Sequence, residues 1–369
     1  MRRAALLVMA LAACGGGSPA QDDGGSDATV DVVEETAPDA SDAADELADV
    51  DAAVPCGIDT VWTTDLPQHL ECTGLYTDFA SKTVDAKALS YTPGLVLWSD
   101  GATKSRWLYL PPNSKIDDSN LDEWTFPVGT KVWKEFVVSG ARIETRLFTK
   151  ASDGTWLWAA YQWTSDESDA VRNDSGAKNV VGTYEIPSHG NCDACHGGRN
   201  DKLLGVEAIA LALPAAQGAT LDWLQTNGKL TVAPPATTAT LPEDSTGKAA
   251  LALGSLHIGC GVSCHNQNGS SQGGSSGYWA RLPASAVLSG TAQVTSLDTY
   301  VTTVGVTPTT VPYQPQANQG YKRILAGDAA MSLLVYVTNM RGTGQMPPIV
   351  THVVDATSVQ ELEDWINAL

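Results

Sequence analysis

The stretch from Cys192 to His196 reads Cys-Asp-Ala-Cys-His and constrains this chain more than any other. Its two thiols stand about one helical turn apart, so each can add to a vinyl group of a porphyrin. The histidine directly after the second thiol then places its imidazole on the iron as the proximal ligand. A Cys-x-x-Cys-His run is typical of a covalent attachment site for haem c. The sequence therefore predicts haem c held by Cys192, Cys195 and His196.

A near-copy of this motif runs from Cys260 to His265, with three residues instead of two between its thiols. The extra residue must bulge out of the turn, and Gly261 would ease that bulge. We expect Cys260 and Cys264 to attach haem with His265 on the iron, which gives one or two haems per chain. Attachment through one thiol, or a disulfide between Cys260 and Cys264, stays open.

The first residues have the order of a secretion signal. Two arginines precede an apolar run over residues 4–13, which is shorter than the roughly 20 residues that span a bilayer. The run ends in Leu-Ala-Ala-Cys14, which resembles a bacterial lipobox; an ordinary signal with a chance cysteine is the alternative. We expect a signal peptide over residues 1–13 and lipid on Cys14. Multiple acyl chains would anchor the protein in the cell envelope, in the outer membrane of a bacterium that has one, on its periplasmic or surface face.

Residues 14–55 follow as a polar segment, and from residue 15 onward it has no lysine, arginine or aromatic residue. Such a segment cannot bury enough apolar surface to offset its chain entropy, so we expect a disordered acidic tether. It carries a large part of the formal net charge of −20. This excess of negative charge argues against a nucleic-acid partner.

Cys56 and Cys72 are the two of the seven cysteines that neither the lipid site nor the motifs use. An exported protein meets oxidising conditions, under which we expect these two to form a disulfide. Zinc or thiol exchange would be other uses of the motif cysteines, since the two motifs could pool four zinc ligands. The histidine after the second cysteine of each motif and the exported setting favour haem.

Residues 56–188 have the pattern of short β-strands separated by turns. Residues 131–138 alternate at period two, and Asp153-Gly154 between two strand-like runs is a hairpin signal. We expect an all-β, sandwich-like domain here. Seven tryptophans fall between residues 72 and 188. We expect them in its core, with a glycan-binding face as the alternative.

Residues 189–369 are mainly helical in pattern and contain both motifs. We expect helices over residues 329–337 and 358–369, the second one amphipathic and capped by Thr357 or Ser358. His257 lies three residues before the second motif and is either an iron ligand or a buried structural histidine.

Met346-Pro347-Pro348 lies ahead of the terminal helix, and this order resembles the C-terminal half of monohaem cytochrome c domains. The resemblance covers residues 256–369. It implies a cytochrome c-like domain in which Met346 is the distal ligand of the iron held by His265, and in which the terminal helix packs on the attachment helix. Met331 and Met340 are the other candidate ligands.

More broadly, residues 72–369 resemble exported bacterial proteins that join a tryptophan-rich β-region to haem c-type motifs. The resemblance implies an exported haem-binding role and settles no substrate. It is carried by residues 97–102, 126–130, 143–147, 186–188 and 321–324.

Three functions follow from these observations. An iron held by His265 and Met346 has no open position, so a lipid-anchored c-type cytochrome that passes electrons to a redox partner protein is the leading hypothesis. A five-coordinate haem at the first motif would instead allow peroxidase-like chemistry. A cell-surface binding module without haem, in which all the remaining cysteines form disulfides, is the third.

Overall fold

The computed structural model of the protein describes residues 54–309 and 313–369. The expected signal peptide, the lipid site at Cys14 and nearly all of the expected tether lie outside the described residues. Within them, a β-rich region is followed by a helical region, as the sequence predicts. No helix of this part of the chain is long and apolar enough to cross a bilayer.

The β-rich region contains one large antiparallel sheet. The strands are β1 Tyr76–Asp78, β2 Thr83–Val84, β3 Leu89–Thr92, β4 Thr103–Tyr109, β5 Lys131–Val138, β6 Ala141–Lys150, β7 Trp156–Trp163, β8 Ala170–Arg172 and β9 Gln217–Gly218. Strands β1 and β2 pair with each other. The other seven form a sheet in the order β8-β7-β6-β5-β4-β3-β9, so the strand β9 from the helical region extends it at one edge.

The central strands of this sheet are buried on both faces. Trp133 and Leu147 point into a cluster with the segment that precedes β3, which includes Trp62 and Leu70. Their neighbours Val132 and Phe148 point to the opposite face, as successive strand residues do, and join a second cluster. Helices and loops cover that second face. The layers therefore differ from the expected sandwich, because alternation marks two faces without showing what covers each.

The helical region consists of short helices joined by long loops. They are α1 His189–His196, α2 Ala208–Ala212, α3 Leu221–Thr226, α4 Ala249–Leu256, α5 Ala284–Leu288, α6 Asp298–Val301, α7 Gln314–Asn318, α8 Leu333–Asn339 and α9 Ala356–Ala368. One hydrophobic cluster runs through both regions and includes Phe148 of β6 and Trp365 of α9. The helices are thus packed onto the sheet rather than separated from it by a linker.

The terminal helix α9 begins two residues earlier than the sequence predicts. Its cap is Asp355, whose carboxylate accepts a hydrogen bond from the backbone N–H of Ser358 at 3.2 Å. Trp365 is fully buried, and its indole N–H donates to Asp244 at 3.0 Å. Helix α9 packs against α4 and α8. It therefore lies on the helix that leads directly into the second motif.

Cys56 and Cys72 form a disulfide, which confirms the prediction. Beside the bond, the N–H of Gly57 donates to the carbonyl of Cys72 at 3.0 Å. The bridge holds the start of the described chain against the sheet, where Ile58 and Trp62 are buried.

Candidate functional site

Both cysteine motifs open onto one cavity between the sheet and the helices. The cavity measures about 270 Å³. The four motif cysteines are free thiols, since no disulfide involves them. The residues of the two motifs that line the cavity include Cys192, Cys195, His196, Cys260, Cys264 and His265. Motifs that lie 68 residues apart in sequence are thus brought to one place.

Aromatic residues of the sheet position the first motif. Helix α1 carries Cys192, Cys195 and His196, so its two thiols are one helical turn apart. Phe148 of β6 stacks on the His196 ring with centroids 4.0 Å apart. The Trp158 indole N–H of β7 donates to the His189 carbonyl at 3.2 Å. The helix is therefore fixed on the sheet at both ends.

The environment of His196 sets its protonation. Its Nδ1 lies within hydrogen-bonding distance of the Lys202 carbonyl, which can only accept, so Nδ1 carries the proton. Burial lowers the pKa of His196 to about 3, which keeps the ring neutral near pH 7. Histidines that bind metals usually donate their other ring N–H to a carbonyl or carboxylate in this way. Nε2 is left with a lone pair for a ligand.

The second motif is built on a different turn. Helix α4 continues into a π-helical turn, His257–Gly261, which carries the first of the two thiols. The N–H of His265 donates to the Cys260 carbonyl at 2.7 Å, a bond across five residues. An i→i+5 turn holds one residue more than an α-turn. The three-residue spacer is therefore absorbed in a wider turn, and Cys260 and Cys264 remain about one turn apart.

Gly261 serves this turn in another way than the sequence suggests. It does not have the positive φ that would ease a bulge, but a Cβ on it would lie 2.3 Å from the backbone nitrogen of Arg281. The glycine is needed because the segment with Ala280 and Arg281 passes directly over the turn. The expected role in relaxing the backbone was wrong, since sequence spacing does not show which segment approaches.

His265 has the same proton arrangement as His196. Its Nδ1 is 3.2 Å from the Ser276 hydroxyl oxygen. The single hydroxyl proton of Ser276 is directed to the Gly273 carbonyl at 2.6 Å, so Nδ1 of His265 is the donor. Burial, with a smaller contribution from the Arg323 charge, lowers the pKa of His265 to about 4. Both histidines are therefore neutral near pH 7, with Nε2 unprotonated.

The second cysteines of the two motifs line the same cavity and influence each other's ionisation. The interaction between the Cys195 and Cys264 thiols lowers the pKa of Cys264 and raises that of Cys195. Burial raises the pKa of Cys260 to about 12. Cys264 is thus the motif cysteine with the greatest thiolate character, which makes it the most nucleophilic of the set.

Met346 lines the same cavity. Its N–H donates to the Val337 carbonyl at 2.9 Å, which ties the loop to the end of α8. The Gln345 amide donates to the carbonyls of Pro347 and Thr351 at 2.9 and 2.8 Å and closes the loop on itself. Neither Met331 nor Met340 is among the described residues that line the cavity. Of the three candidate methionines, the structure brings Met346 to the motifs.

His257 lies in the core and away from the cavity lining. It is 1% exposed, and its Nδ1 accepts the N–H of Leu282 at 3.0 Å. Its Nε2 is 3.7 Å from a carboxylate oxygen of Glu207, which caps α2. The structural interpretation of His257 fits this placement, and the ligand interpretation does not.

The cavity wall also carries several basic residues that were not predicted from the sequence. Arg146 of β6 is held by Glu144, with its Nε 2.8 Å from a carboxylate oxygen. Burial lowers the pKa of Lys104 to about 7. No motif marks these residues, because single arginines and lysines in strands are common; only the fold shows that they face one space. The basic residues in the lining are Lys104, Lys134, Arg146, Arg323 and Arg341.

A pooled zinc site does not form in the part of the chain that the structure describes. There, no group of three or more His, Cys, Asp or Glu side chains is arranged to hold a metal ion. A structural zinc needs four such ligands. A haem iron is held mainly by its porphyrin and takes at most two protein ligands, so it needs no such group.

The tryptophans of the β-rich region are largely core residues. Trp124, Trp133, Trp156 and Trp163 are at most 8% exposed. Trp133 donates its indole N–H to the Thr73 hydroxyl at 3.1 Å, and Trp163 donates to Thr145 at 3.0 Å. Indoles held in this way are not available as a platform for a sugar.

Comparison of the chain with family models, with curated proteins and with solved structures found no match. The assignment of function therefore depends on the geometry of the cavity and its motifs.

Proposed function

We propose that this protein is a c-type cytochrome that binds haem covalently in this cavity and transfers electrons in the cell envelope. One observation carries the proposal. Two Cys-Cys-His motifs line one cavity, and the histidine of each has a protonated Nδ1 and a free Nε2. These are the attachment groups and the proximal ligands that haem c requires.

The attachment chemistry needs nothing beyond the thiols and the vinyl groups. Each cysteine sulfur bonds to one vinyl carbon, and the thiol proton ends on the other, so no electrons are gained or lost. Cys192 and Cys195 are spaced for this on α1, and the π-helical turn gives Cys260 and Cys264 a similar spacing. The wider turn removes the main objection to attachment at the second motif.

The iron of such a group supplies a one-electron couple. The residues of the chain would hold the iron and set its reduction potential. His265 and Met346 would hold the iron at the second motif, where a methionine sulfur would favour the reduced iron. Arg323 and Arg341 on the cavity wall are suited to pair with the propionate carboxylates of a haem. The packing of α9 on α4, next to this motif, is in keeping with a cytochrome c-like arrangement.

A haem-dependent oxidoreductase is the second candidate, and one observation favours it. Among the described lining residues, Met346 is the one methionine, whereas two motif histidines need a distal partner. If both motifs carry haem, one iron therefore lacks a methionine. An open position at the iron of His196 would admit a small molecule such as a peroxide.

The place of the protein in the cell is also a proposal. The signal-like start and Cys14 support a lipid anchor in the cell envelope, which would keep the cavity near a membrane-associated redox partner. Replacing Cys14 with serine should give uncleaved precursor or released protein, as seen by fractionation. Normal cleavage with normal membrane retention would contradict the anchor.

Voltammetry of the purified haem-loaded protein distinguishes the two candidates. An electron carrier gives reversible one-electron waves that added hydrogen peroxide leaves unchanged. An oxidoreductase of the second kind gives a catalytic current with peroxide that is lost in the Cys192→Ala/Cys195→Ala variant. Protein that shows no redox wave, because it carries no haem, would contradict both.

A further inference from the structure

The face of the sheet on which the first motif is packed also carries a row of basic side chains. Arg106 of β4 pairs with Lys134 of β5, and Lys134 pairs with Arg146 of β6, so the two arginines flank the lysine in register. Lys104 lies on the same face of β4, two residues before Arg106. The neighbouring row on this face contains Phe148, whose ring stacks on the histidine of the first motif. The basic row therefore lies beside the first motif.

Such a row is unfavourable by itself. Like charges directly opposite each other on neighbouring strands repel, and charges that are removed from water need a partner. Arg106 is 5% exposed. Burial, together with the charges of Arg106, Lys104 and Arg146, lowers the pKa of Lys134. The row thus calls for a negative charge to offset it.

The carboxylate that contacts the row neutralises one member of it. Glu144 holds Arg146, with the Nε of Arg146 2.8 Å from one carboxylate oxygen, and its other oxygen accepts the Tyr184 hydroxyl at 2.7 Å. Among the residues that the structure describes, the ammonium of Lys134 and the guanidinium of Arg106 form no hydrogen bond and no ion pair. Most of the positive charge of the row is therefore not offset by Glu144.

The described carboxylates that line the cavity are engaged elsewhere. Asp100 accepts the backbone N–H groups of His352 and Val353 at 2.9 and 3.1 Å. A carboxylate oxygen of Glu185 is 2.8 Å from Nε2 of His352. Asp355 caps α9. The positive charge of the row thus remains for a ligand to offset.

We propose that Lys104, Lys134 and Arg146 form a binding site for a small oxyanion, such as a carboxylate, on the sheet wall of the cavity. All three line the cavity of about 270 Å³, which has room for such an ion. Ammonium and guanidinium groups bind oxyanions through charge-assisted hydrogen bonds. Arg106 lines a small second cavity that Lys134 also borders, and it adds positive potential from behind. The site consists of side chains of the sheet, so the inference goes beyond the proposed function and does not depend on it.

Two sources of oxyanion share this chemistry. One is a free ion from solution, and the other is a carboxylate group of a haem bound in the cavity. Formate is a small carboxylate and separates them, because a site for a free ion stays open to formate after haem is attached, whereas a site that the haem fills does not.

Calorimetric titration with sodium formate tests the site, in a buffer of constant ionic strength without other small oxyanions. We expect the full chain produced without haem to bind one formate saturably. Lys134→Gln should weaken this binding roughly tenfold, because it removes a charged hydrogen-bond donor. Lys134→Arg keeps the charge and should bind formate like the unaltered chain. Lys115→Gln is the matched control, since Lys115 is exposed and outside the cavity lining, and should change nothing.

The same titration of the haem-matured chain identifies the source. Formate binding that persists after maturation assigns the site to a free ion, and binding that maturation abolishes shows that the haem occupies it. If neither form binds formate, or if Lys134→Gln binds it as tightly as the unaltered chain, the inference is overturned. Should Lys134→Gln fail to fold, Lys104→Gln takes its place with the same expectation. A chain that binds formate but never acquires haem would contradict the proposed function alone.

Discussion

At the scale of single residues, the site depends on where protons lie as much as on which side chains are present. The sequence identified the cysteines and histidines of both motifs. It did not identify the Lys202 carbonyl or the Ser276 hydroxyl, which fix the protons of His196 and His265. Both partners lie beyond the motifs, and a carbonyl is common to every residue. Such a partner can be found only from the fold.

Met346 is the residue whose role is tested most simply. Replacement with alanine should lower the reduction potential by roughly 0.1 V, because a sulfur ligand favours reduced iron and axial ligands span about 0.8 V in haem proteins. It should also open a position that binds carbon monoxide and weaken the near-infrared sulfur-to-iron band. Met340→Ala is the control, since Met340 does not line the cavity, and should change neither property. If the two variants behave alike, Met346 is not a ligand of the iron.

At the scale of elements, sequence pattern predicted helices and strands better than it predicted turns. The terminal helix was predicted from its amphipathic period and is present, with its cap moved to Asp355. The second motif was expected to bulge, and the structure accommodates its extra residue in a π-helical turn, which is a bulge of this kind. The form of the bulge was not predicted, because spacing shows that a residue is extra, whereas hydrogen bonds decide how the turn accommodates it.

The tight packing over that turn gives a prediction for Gly261. Alanine there would overlap the backbone of Ala280 and Arg281, with the closest atom 2.3 Å away, and overpacking of this kind costs roughly 1–3 kcal/mol. Urea unfolding of the Gly261→Ala variant should show that loss. Gly259→Ala is matched to it, because it lies in the same turn with nothing within 4 Å of its added Cβ. A loss no larger than the control's would show that the segment does not press on the turn.

At the scale of the whole molecule, one sheet carries two different layers. The alternation of Val132 and Trp133 predicts two faces, and both are buried here. Sequence pattern could not show that the face with Val132 meets the helices. Nor could it show that the face with Trp133 meets the segment near the disulfide. Long-range contacts of this kind depend on how the elements fit together, which local periodicity does not contain.

The disulfide should contribute to the stability of the whole fold. Cys56 and Cys72 are 16 residues apart, and the chain-entropy model gives about 3 kcal/mol for a loop of that length. Replacing both with serine should lower the free energy of unfolding by about that amount, as measured by urea unfolding of the oxidised protein. The reduced, unaltered protein should behave like the double variant. If the double variant unfolds at the same urea concentration as the oxidised protein, the bridge adds nothing.

The number of covalent haems per chain tests the central claim most directly. A pyridine haemochrome assay on protein matured with haem should give one or two haems for the full chain and one fewer after Cys192 and Cys195 are replaced with alanine. Both counts should survive denaturation and acid-acetone extraction, because thioether bonds are covalent. Protein that carries no covalent haem under conditions that mature other c-type cytochromes, or a count that Cys192→Ala/Cys195→Ala leaves unchanged, would contradict the account.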